Sequence, residues 1–416
     1  MNKTFFSKNR NKYLQSVDDN SITVLFSGGL VQWTADQNYR FEVNKNFYYL
    51  TGINQEESIL ILIKGKETKE HLFIIENDEL KTKWEGKKLT IKEAKEISGI
   101  ENIAYLNAFD NILFSNLNSG RQLQENVSKI YLDLERRDHK EYTTKALAFS
   151  KTIKKYYPEL TIENAYYKIV ALRMIKTTEE VEKIKESIET TKLALENVMT
   201  NIKPNLYEYQ IETYFDSAIK YLGNKDVAFA TICATGKNAT ILHYVDNNKV
   251  AKDGDLILLD LGCRTDYYVS DISRTYPVNG KFSLRQKEVY QVVLDVNKKC
   301  IDFLKPGITW DEFNQFANKL LIEGLKKLEK IDKDEDFRKY YWHSIGHNIG
   351  LDTHDPVLRN VPLQEGMVLT VEPGLYLEDE KIGIRIEDNI LITKDGAVNL
   401  SKDIIKEIDE IENMMF

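Results

Sequence analysis

The chain contains little cysteine, no long apolar run and no excess of positive charge. Its 416 residues include three cysteines, Cys233, Cys263 and Cys300, which lie far apart and are odd in number. No disulfide framework is visible, which is typical of a reducing compartment. The longest apolar runs, 59–63 and 256–261, are far shorter than the roughly 20 residues that a membrane span needs.

The charge balance and the N-terminus exclude further classes of protein. The formal net charge is −8, with acidic and basic residues interspersed along the chain. Nucleic-acid binding usually requires a basic face, so nucleic acid is not expected as a partner. The first ten residues have no apolar region after their charges, which argues against a secretion signal. We therefore expect a cytoplasmic protein without a membrane partner.

Length predicts two domains, because 416 residues exceed what one ordinary core organises. We place them at 1–165 and 166–416. The first has the pattern of an α/β domain, with β-type runs separated by turn residues. Its predicted elements are a hairpin of strands 58–63 and 71–75, a strand at 130–134, a helix at 143–156 that ends before Pro158, and an aromatic strand at 47–52 that ends at a glycine.

The second domain contains a loose internal repeat. Thr177 and Glu180 form a capping box, and apolar residues at helical spacing follow to about Asn201. Lys-Pro pairs at 203–204 and 305–306 each follow a long helix and precede a second helix and then a histidine. The copies are about a hundred residues apart. This pattern predicts two related α+β halves that close on one another around a site.

Between the copies, two β-rich runs flank a short turn and predict an antiparallel hairpin. With Thr265 and Asp266 at its centre, Asp260 and Asp271 would face each other at about 5 Å. The repulsion between two carboxylates at that distance destabilises the hairpin unless a cation lies between them. A simple strand end is the alternative interpretation for Asp260.

Three of the six histidines cluster before a Glu-Pro-Gly turn. His343 and His347 have the spacing of the zinc-protease HExxH motif, but residue 344 is serine, so that motif lacks its base. Glycines at 346 and 350 also oppose a regular helix. His354 alone would usually be a structural histidine. Glu372 precedes Pro373, which favours an extended backbone there.

The segment after this turn alternates as a strand with one apolar and one polar face. Isoleucines at 382, 384 and 386 share one face, so Arg385 and Glu387 share the other. A strand with one face in a core and one in a polar pocket would have this pattern. A plain salt bridge between Arg385 and Glu387 is the alternative.

Together these segments offer four carboxylates and one imidazole: Asp260, Asp271, His347, Glu372 and Glu387. Hard oxygen ligands favour Mn, Mg, Co or Zn over Cu. Four carboxylates exceed the charge that one divalent ion balances, but they suit two ions that share bridging carboxylates. Two ions about 3.5–4 Å apart can hold a bridging hydroxide and polarise a carbonyl, which is the apparatus for hydrolysing an amide.

These residues lie in five motifs: Leu-Asp-Leu-Gly at 259–262, Ser-Asp-Ile-Ser-Arg-Thr at 270–275, His-Ser-Ile-Gly-His-Asn-Ile-Gly-Leu-Asp-Thr-His-Asp at 343–355, Val-Glu-Pro-Gly at 371–374 and Ile-Arg-Ile-Glu-Asp at 384–388. In order and spacing, the motifs resemble the metallopeptidases of the pita-bread fold (peptidase family M24), which include methionine aminopeptidase, prolidase and aminopeptidase P. The N-terminal part is similar to the aminopeptidase P and prolidase type, and its segments 25–29, 47–52 and 84–86 favour aminopeptidase P.

The resemblance implies an α/β N-terminal domain and an α+β pita-bread (creatinase/aminopeptidase) catalytic domain with an internal pseudo-twofold repeat. It implies two divalent ions, usually Mn²⁺, held by the five residues above, with Asp271 and Glu387 bridging. Glu372 would also move the proton between the attacking water and the leaving group. The residues that would line the substrate pocket are His243, His343, His354, Tyr376 and Arg385, with His354 stabilising the oxyanion.

The function that follows is release of an N-terminal residue from peptides that begin Xaa-Pro. The Xaa–Pro bond is a tertiary amide without an N–H, so proteases that bind substrate as a strand handle it poorly. A site that grips the free amine near Asp260 does not need that donor. The alternatives are a prolidase that cleaves only Xaa-Pro dipeptides and a non-catalytic binding protein. The resemblance also implies a homodimer or homotetramer.

Overall fold

A computed structural model describes residues 1–117, 127–136, 138 and 143–415. They form two compact units, Met1–Arg173 and Met174–Phe416. The predicted ranges 1–165 and 166–416 differ from this division by the eight residues of one helix, Tyr166–Arg173, which packs in the first unit. Among the helices of the described residues, none combines the length and the apolar character needed to cross a bilayer.

Both units mix helices and strands. The helices are α1 (Lys3–Ser16), α2 (Lys45–Thr51), α3 (Glu79–Glu85), α4 (Ile91–Ser98), α5 (Phe109–Leu117), α6 (Lys145–Tyr156), α7 (Tyr166–Arg173), α8 (Thr178–Asn201), α9 (Glu208–Tyr221), α10 (Leu284–Phe303), α11 (Trp310–Lys327) and α12 (Ile408–Met414). The strands are β1 (Ser21–Phe26), β2 (Gln32–Thr34), β3 (Gln37–Asn38), β4 (Ile59–Lys64), β5 (Thr68–Ile74), β6 (Asn102–Tyr105), β7 (Lys129–Leu132), β8 (Thr161–Asn164), β9 (Ile232–Thr235), β10 (Leu256–Leu261), β11 (Arg264–Thr265), β12 (Tyr268–Val269), β13 (Ile272–Pro277), β14 (Val368–Val371), β15 (Gly374–Leu377), β16 (Ile382–Arg385), β17 (Asp388–Thr393) and β18 (Gly396–Asn399).

The first unit is built on a six-stranded mixed sheet in the order β6-β5-β4-β1-β7-β8. Because side chains alternate along β1, Ile22 and Val24 join an apolar cluster with Phe109 of α5 and other buried residues. Thr23 points to the opposite face, where its hydroxyl lies 3.0 Å from that of Tyr13 in α1. Helices therefore cover both faces, which makes this unit an α/β domain.

Most predicted elements of this unit are confirmed, but the strand at 47–52 is wrong. The predicted hairpin forms as β4 and β5, which pair antiparallel. Residues 45–51 instead form α2, because the Asn44 side chain accepts the Phe47 N–H at 2.8 Å and caps the helix. Gly52 ends it in the left-handed region, with φ of 70°. The aromatic residues favoured a strand, but these caps at both ends indicate a helix.

The second unit contains two helix pairs, α8 with α9 and α10 with α11. Each pair is joined by a short segment that holds one of the Lys-Pro pairs, and the Thr177–Glu180 capping box forms as predicted. Its sheets have the orders β13-β10-β9, β14-β17-β18, β15-β16 and β11-β12. The segregation of short sheets and long helices makes this unit α+β.

The hairpin of β10 and β13 forms, but its predicted register is wrong by two residues. Asp260 faces Ser273, not Asp271. The turn residues are Asp266 and Tyr267, which both have positive φ, 49° and 69°, as a two-residue type I′ turn requires. A shift of two positions leaves every side chain on the face predicted for it, so Asp260 and Asp271 stay on the same side of the hairpin.

A buried ion pair holds the loop that carries the clustered histidines. Lys176 Nζ lies 3.0 Å from Asp355 Oδ2, and both side chains are 1% exposed. Asp355 also accepts the Asp352 N–H at 3.2 Å. The pair therefore ties the segment before α8 to the end of this loop, in a place where neither charge is solvated.

We expect Lys176→Met to lower the free energy of unfolding of this unit by about 3–5 kcal/mol, because it removes the ammonium that faces the buried Asp355 carboxylate. Lys176→Met combined with Asp355→Asn should recover most of that loss, since neither charge then remains. Urea denaturation followed by circular dichroism measures both changes.

The control is Lys92→Met, which breaks a pair with Glu96 whose side chains are 85% and 64% exposed. Its loss should be under about 1 kcal/mol. If Lys176→Met and Lys92→Met cost the same, the buried pair does not stabilise this loop.

Candidate metal centre

Four carboxylates lie where the chain enters or leaves a strand. Asp260 is the next-to-last residue of β10, and Asp271 directly precedes β13. Glu372 lies between β14 and β15, and Glu387 lies between β16 and β17. Since β14 and β17 share one sheet and β15 and β16 share another, the chain changes sheet at Glu372 and returns at Glu387.

The backbone around Glu387 shows how this return is made. The strand predicted through Glu387 ends earlier, at Arg385, where β16 stops. The Ile386 N–H bonds the Pro373 carbonyl at 3.3 Å, and the Glu387 N–H bonds the Ser273 carbonyl at 3.0 Å. The backbone partner thus changes from the residue after Glu372 to the residue two positions after Asp271, which brings Glu372, Glu387 and Asp271 together.

The side chain of His347 approaches these carboxylates from a loop that pairs with β14. Residues 341–355 contain no regular helix, as the glycines predict. The Thr370 N–H bonds the His347 carbonyl at 2.8 Å, and Thr370 Oγ1 accepts the His347 N–H at 3.0 Å. A Cβ on Gly346 would lie 2.0 Å from the Thr370 carbonyl oxygen, so this close approach requires glycine.

Three of the predicted ligands form a compact trio. One ligand atom from each of Asp271, His347 and Glu387 lies within 4.8 Å of the other two. His347 Nε2 lies 3.3 Å from Asp271 Oδ2 and 3.8 Å from Glu372 Oε1. Its Nδ1 lies 3.1 Å from the Asn348 carbonyl, so Nδ1 carries the proton and Nε2 points at the acids.

Asp260 is linked to the trio through Arg385. Arg385 donates to Asp260 Oδ2 at 2.6 Å, to the Tyr376 hydroxyl at 3.0 Å and to Ser273 Oγ at 2.8 Å. Ser273 Oγ in turn donates to Glu387 Oε2 at 2.7 Å. The guanidinium therefore connects the acid of β10 to the acid beside β17. The alternative of a plain Arg385–Glu387 salt bridge is not what forms.

The remaining histidines surround this group. His343 Nδ1 lies 2.8 Å from the Ser344 carbonyl, which fixes its proton there, so Nε2 accepts from the Tyr376 hydroxyl at 2.8 Å. His343 Nδ1 is also 3.8 Å from Glu372 Oε2. The ring of His354 lies against that of His347, with centroids 4.1 Å apart and the ring planes tilted by 57°. All predicted site residues except exposed His243 are thus joined by direct contacts.

Burial and mutual repulsion set the protonation of the acids. Burial, followed by the charge of Asp271 and other nearby acids, raises the pKa of Glu387 well above its usual range. Burial raises the pKa of Glu372 to about 7 and the pKa of Asp271 to about 6, with Asp260 adding to the latter. Several negative charges in one buried place are therefore unfavourable without a cation.

Burial and neighbouring charges also give the three histidines different pKa values. Burial would lower the pKa of His347, but its hydrogen bond to Asp271 and the nearby acids raise it to about 9. Burial, the Arg385 charge and His243 lower the pKa of His343 to about 3. Partial burial, with His347 and His243, lowers the pKa of His354 to about 4. The charge effects on these two rings place His243 within electrostatic reach of both.

These residues fit a divalent metal. Asp260 Oδ1 is buried and has no hydrogen-bond partner in the part of the chain that the structure describes, which is unfavourable unless a cation meets it. The donors are carboxylates and one imidazole, the set that Mn²⁺, Zn²⁺ and Co²⁺ accept. Binding would displace the extra proton of His347, because a ligating imidazole is neutral.

Two residues of this site were missed in the sequence. Ser273 joins Arg385 to Glu387, and Thr370 holds the backbone of His347. Strand alternation could have found Ser273, because it lies two residues after Asp271 and so on the same face. For Thr370, no signal in the sequence indicates that its hydroxyl faces the histidine loop.

Comparison with known proteins gives the family. Residues 182–394 match Metallopeptidase family M24, and residues 6–124 match Aminopeptidase P, N-terminal domain. The chain is 30% identical to the Xaa-Pro aminopeptidase of Escherichia coli over 99% of this chain and 97% of that protein.

Solved structures agree over the whole chain. A Bacillus anthracis protein, described as a candidate aminopeptidase P, superposes with a TM-score of 0.97 at 47% identity, covering 100% of this chain and 98% of that one. The zinc-substituted E. coli aminopeptidase P in complex with product has a TM-score of 0.91 at 28% identity, with the same coverage. The predicted fold class is confirmed, and a metallopeptidase family with a zinc-substituted relative indicates divalent metal ions as cofactor. The chain therefore belongs to Metallopeptidase family M24, within its aminopeptidase P group.

Proposed function

We propose that this metallo-aminopeptidase releases the N-terminal residue from peptides whose second residue is proline. Its full-length similarity to Xaa-Pro aminopeptidases supports metal-dependent cleavage next to a penultimate proline. The observation that carries the proposal is the convergence of Asp271, His347 and Glu387 within 4.8 Å, in a buried place beside neutral histidines.

Two divalent ions are the cofactor in this proposal, with Mn²⁺ as the metal. Their ligands would be Asp260, Asp271, His347, Glu372 and Glu387, and Asp271 and Glu387 would serve both ions. When bound, the ions would activate a water and polarise the scissile carbonyl. The trio geometry supports Asp271 and Glu387 as the shared ligands, since both lie next to His347 and next to each other.

In this proposal Glu372 also moves the proton. Its Oε1 faces His347 Nε2 on the ligand side, and its Oε2 faces His343 Nδ1 on the pocket side, each at 3.8 Å. A carboxylate with one oxygen towards each side can take a proton from the attacking water and deliver it to the leaving nitrogen. The leaving proline nitrogen needs this proton because an unprotonated amine anion is too basic to be expelled from the tetrahedral intermediate.

The histidines supply neutral donors. With a pKa lowered to about 4, His354 is uncharged near pH 7 and can donate an N–H to the oxygen of the tetrahedral intermediate. His343, held by Tyr376, would form a wall for the proline ring together with His243. The free α-amine of the substrate would bind at the acidic end, where Asp260 faces Arg385, and this would set cleavage after one residue.

The nearest alternative is a prolidase that accepts only Xaa-Pro dipeptides, and substrate length separates the two. A non-catalytic protein of this fold is less well supported, because all five ligand positions carry acids or histidine. A metal-independent hydrolase of the creatinase kind is disfavoured on the same ground.

We also propose a cytoplasmic homodimer or homotetramer that binds no nucleic acid. The three free, buried cysteines support a reducing compartment.

The purified chain with Mn²⁺ should release arginine from the peptide Arg-Pro-Pro-Gly and leave Arg-Ala-Pro-Gly intact, as measured by mass spectrometry. Chelation should abolish the release, and added Mn²⁺ should restore it. Cleavage of Gly-Pro alone would establish the prolidase instead. Inertness towards every Xaa-Pro peptide in the presence of bound metal would refute the proposal.

Asp271→Ala and Glu387→Ala should each reduce turnover to background and lower the bound metal, because each removes a ligand of both ions. Metal analysis of the purified variants and steady-state kinetics measure the two effects. The control is Glu288→Ala, whose carboxylate is 58% exposed in α10. A Glu387→Ala enzyme with unchanged kinetics would rule out this metal centre.

His354→Ala should reduce kcat by about 10²–10³ while metal content holds, because it removes one donor to the oxyanion and no metal ligand. His71→Ala, a histidine of β5 in the first unit, is the matched control and should leave kcat unchanged. Loss of metal in His354→Ala would place this side chain among the ligands and contradict its assignment as a donor.

A further inference from the structure

A buried asparagine of α10 holds the backbone beside two of the proposed metal ligands. Asn297 is fully buried. Its Nδ2 donates to the carbonyls of Val371 and Ile386, each at 3.2 Å. These carbonyls belong to the residues directly before Glu372 and Glu387. One amide group therefore fixes the spacing between the two points where the chain changes sheet.

The other end of Asn297 is also held. Its Oδ1 accepts from Lys406 Nζ at 2.8 Å, and the same ammonium lies 2.6 Å from Asp388 Oδ2. Arg274 bonds Asp388 Oδ1 at 2.8 Å and the Glu387 carbonyl at 2.6 Å. Asn297 is thus oriented by a buried charged network, which leaves its N–H groups no freedom to turn away.

A second asparagine does the same for Asp271. Asn389 is fully buried in β17, its Oδ1 accepts the Asp271 N–H at 3.1 Å, and its Nδ2 donates to the Asp271 carbonyl at 2.6 Å. The strands β13 and β17 belong to different sheets. Only a side chain that both donates and accepts can bond both groups of one peptide residue in this way.

We propose that Asn297 and Asn389 are positioning residues that set the metal affinity of this site, by fixing the backbones from which Asp271, Glu372 and Glu387 project. The physical reason is the repulsion among these acids. Buried carboxylates move apart unless their backbones are held, and each ångström of separation weakens the binding of a shared ion. This inference rests on the proposed dinuclear site.

The test is titration calorimetry of the full chain, freed of metal by chelation, with MnCl₂. Wild type should bind two ions. Asn297→Leu, which has nearly the same volume but no donor, should weaken binding of at least one ion by about 10–100-fold, the usual effect of losing a group that orients a ligand. Saturating Mn²⁺ should restore most of the kcat of the variant, which a general loss of structure would not allow.

Asn197→Leu is the matched control. Asn197 lies in α8 and donates to the Tyr214 carbonyl at 2.8 Å, so the substitution removes the same kind of bond away from the acids. Its Mn²⁺ affinity should equal that of wild type. Circular dichroism checks folding, and if Asn297→Leu does not fold, Asn297→Asp and Asn389→Leu replace it with the same expectation.

The outcomes are distinct. Wild-type Mn²⁺ affinity in folded Asn297 and Asn389 variants, while wild type itself binds two ions, would overturn the positioning role and leave the proposed function intact. Failure of wild type to bind any divalent ion would overturn both. A loss of affinity in Asn197→Leu equal to that in Asn297→Leu would also overturn the positioning role, because the effect would then come from helix packing in general.

Discussion

Repulsion among buried carboxylates is the constraint on which the second unit depends. Asp271 and Glu387 are only 4% and 2% exposed, and Glu372 lies beside them. In such surroundings each negative charge raises the pKa of its neighbours, since little solvent screens them. Arg385 pairs with Asp260, and His347 lies against Asp271 and Glu372. Two basic side chains face four acids, so the remaining negative charge requires protons or divalent cations. The core of this unit is therefore arranged around charge that must be neutralised.

The chain brings these carboxylates together by passing from one sheet to another at two points. Glu372 and Glu387 lie at the two crossings, while a hairpin supplies Asp260 and Asp271 from a third sheet. Places where strand ladders end are poorly held by backbone bonds alone. Hydrogen bonds from the side chains of Ser273 and Asn297 stabilise the chain at these points. The close contact of Gly346 with Thr370 brings His347 against β14. The rigidity of the site thus comes from residues that are not ligands.

Charge also divides the histidines into two kinds. His347 sits against acids and has its pKa raised to about 9, whereas burial and the Arg385 charge lower the pKa of His343 to about 3. The first is therefore placed to exchange a proton for a metal ion, and the second to stay neutral beside substrate. The two rings differ because the hydrogen bond of His347 to Asp271 and the nearby acids outweigh the effect of burial, whereas burial dominates at His343.

The sequence by itself determined the two fold classes, the capped helix α8, the hairpins and the family, because periodicity, caps and motif order are local properties. Through that family it also predicted the ligands and pocket residues, and their roles stay predictions. It did not determine that 47–52 is helical, that Asp260 faces Ser273, or that Arg385 bonds Asp260. Tertiary structure decided these, because turn geometry sets the register of a hairpin and packing selects the partner of a buried charge. Neither can be read from residue order, since the groups that compete for each bond are far apart in the chain and meet only when it is folded.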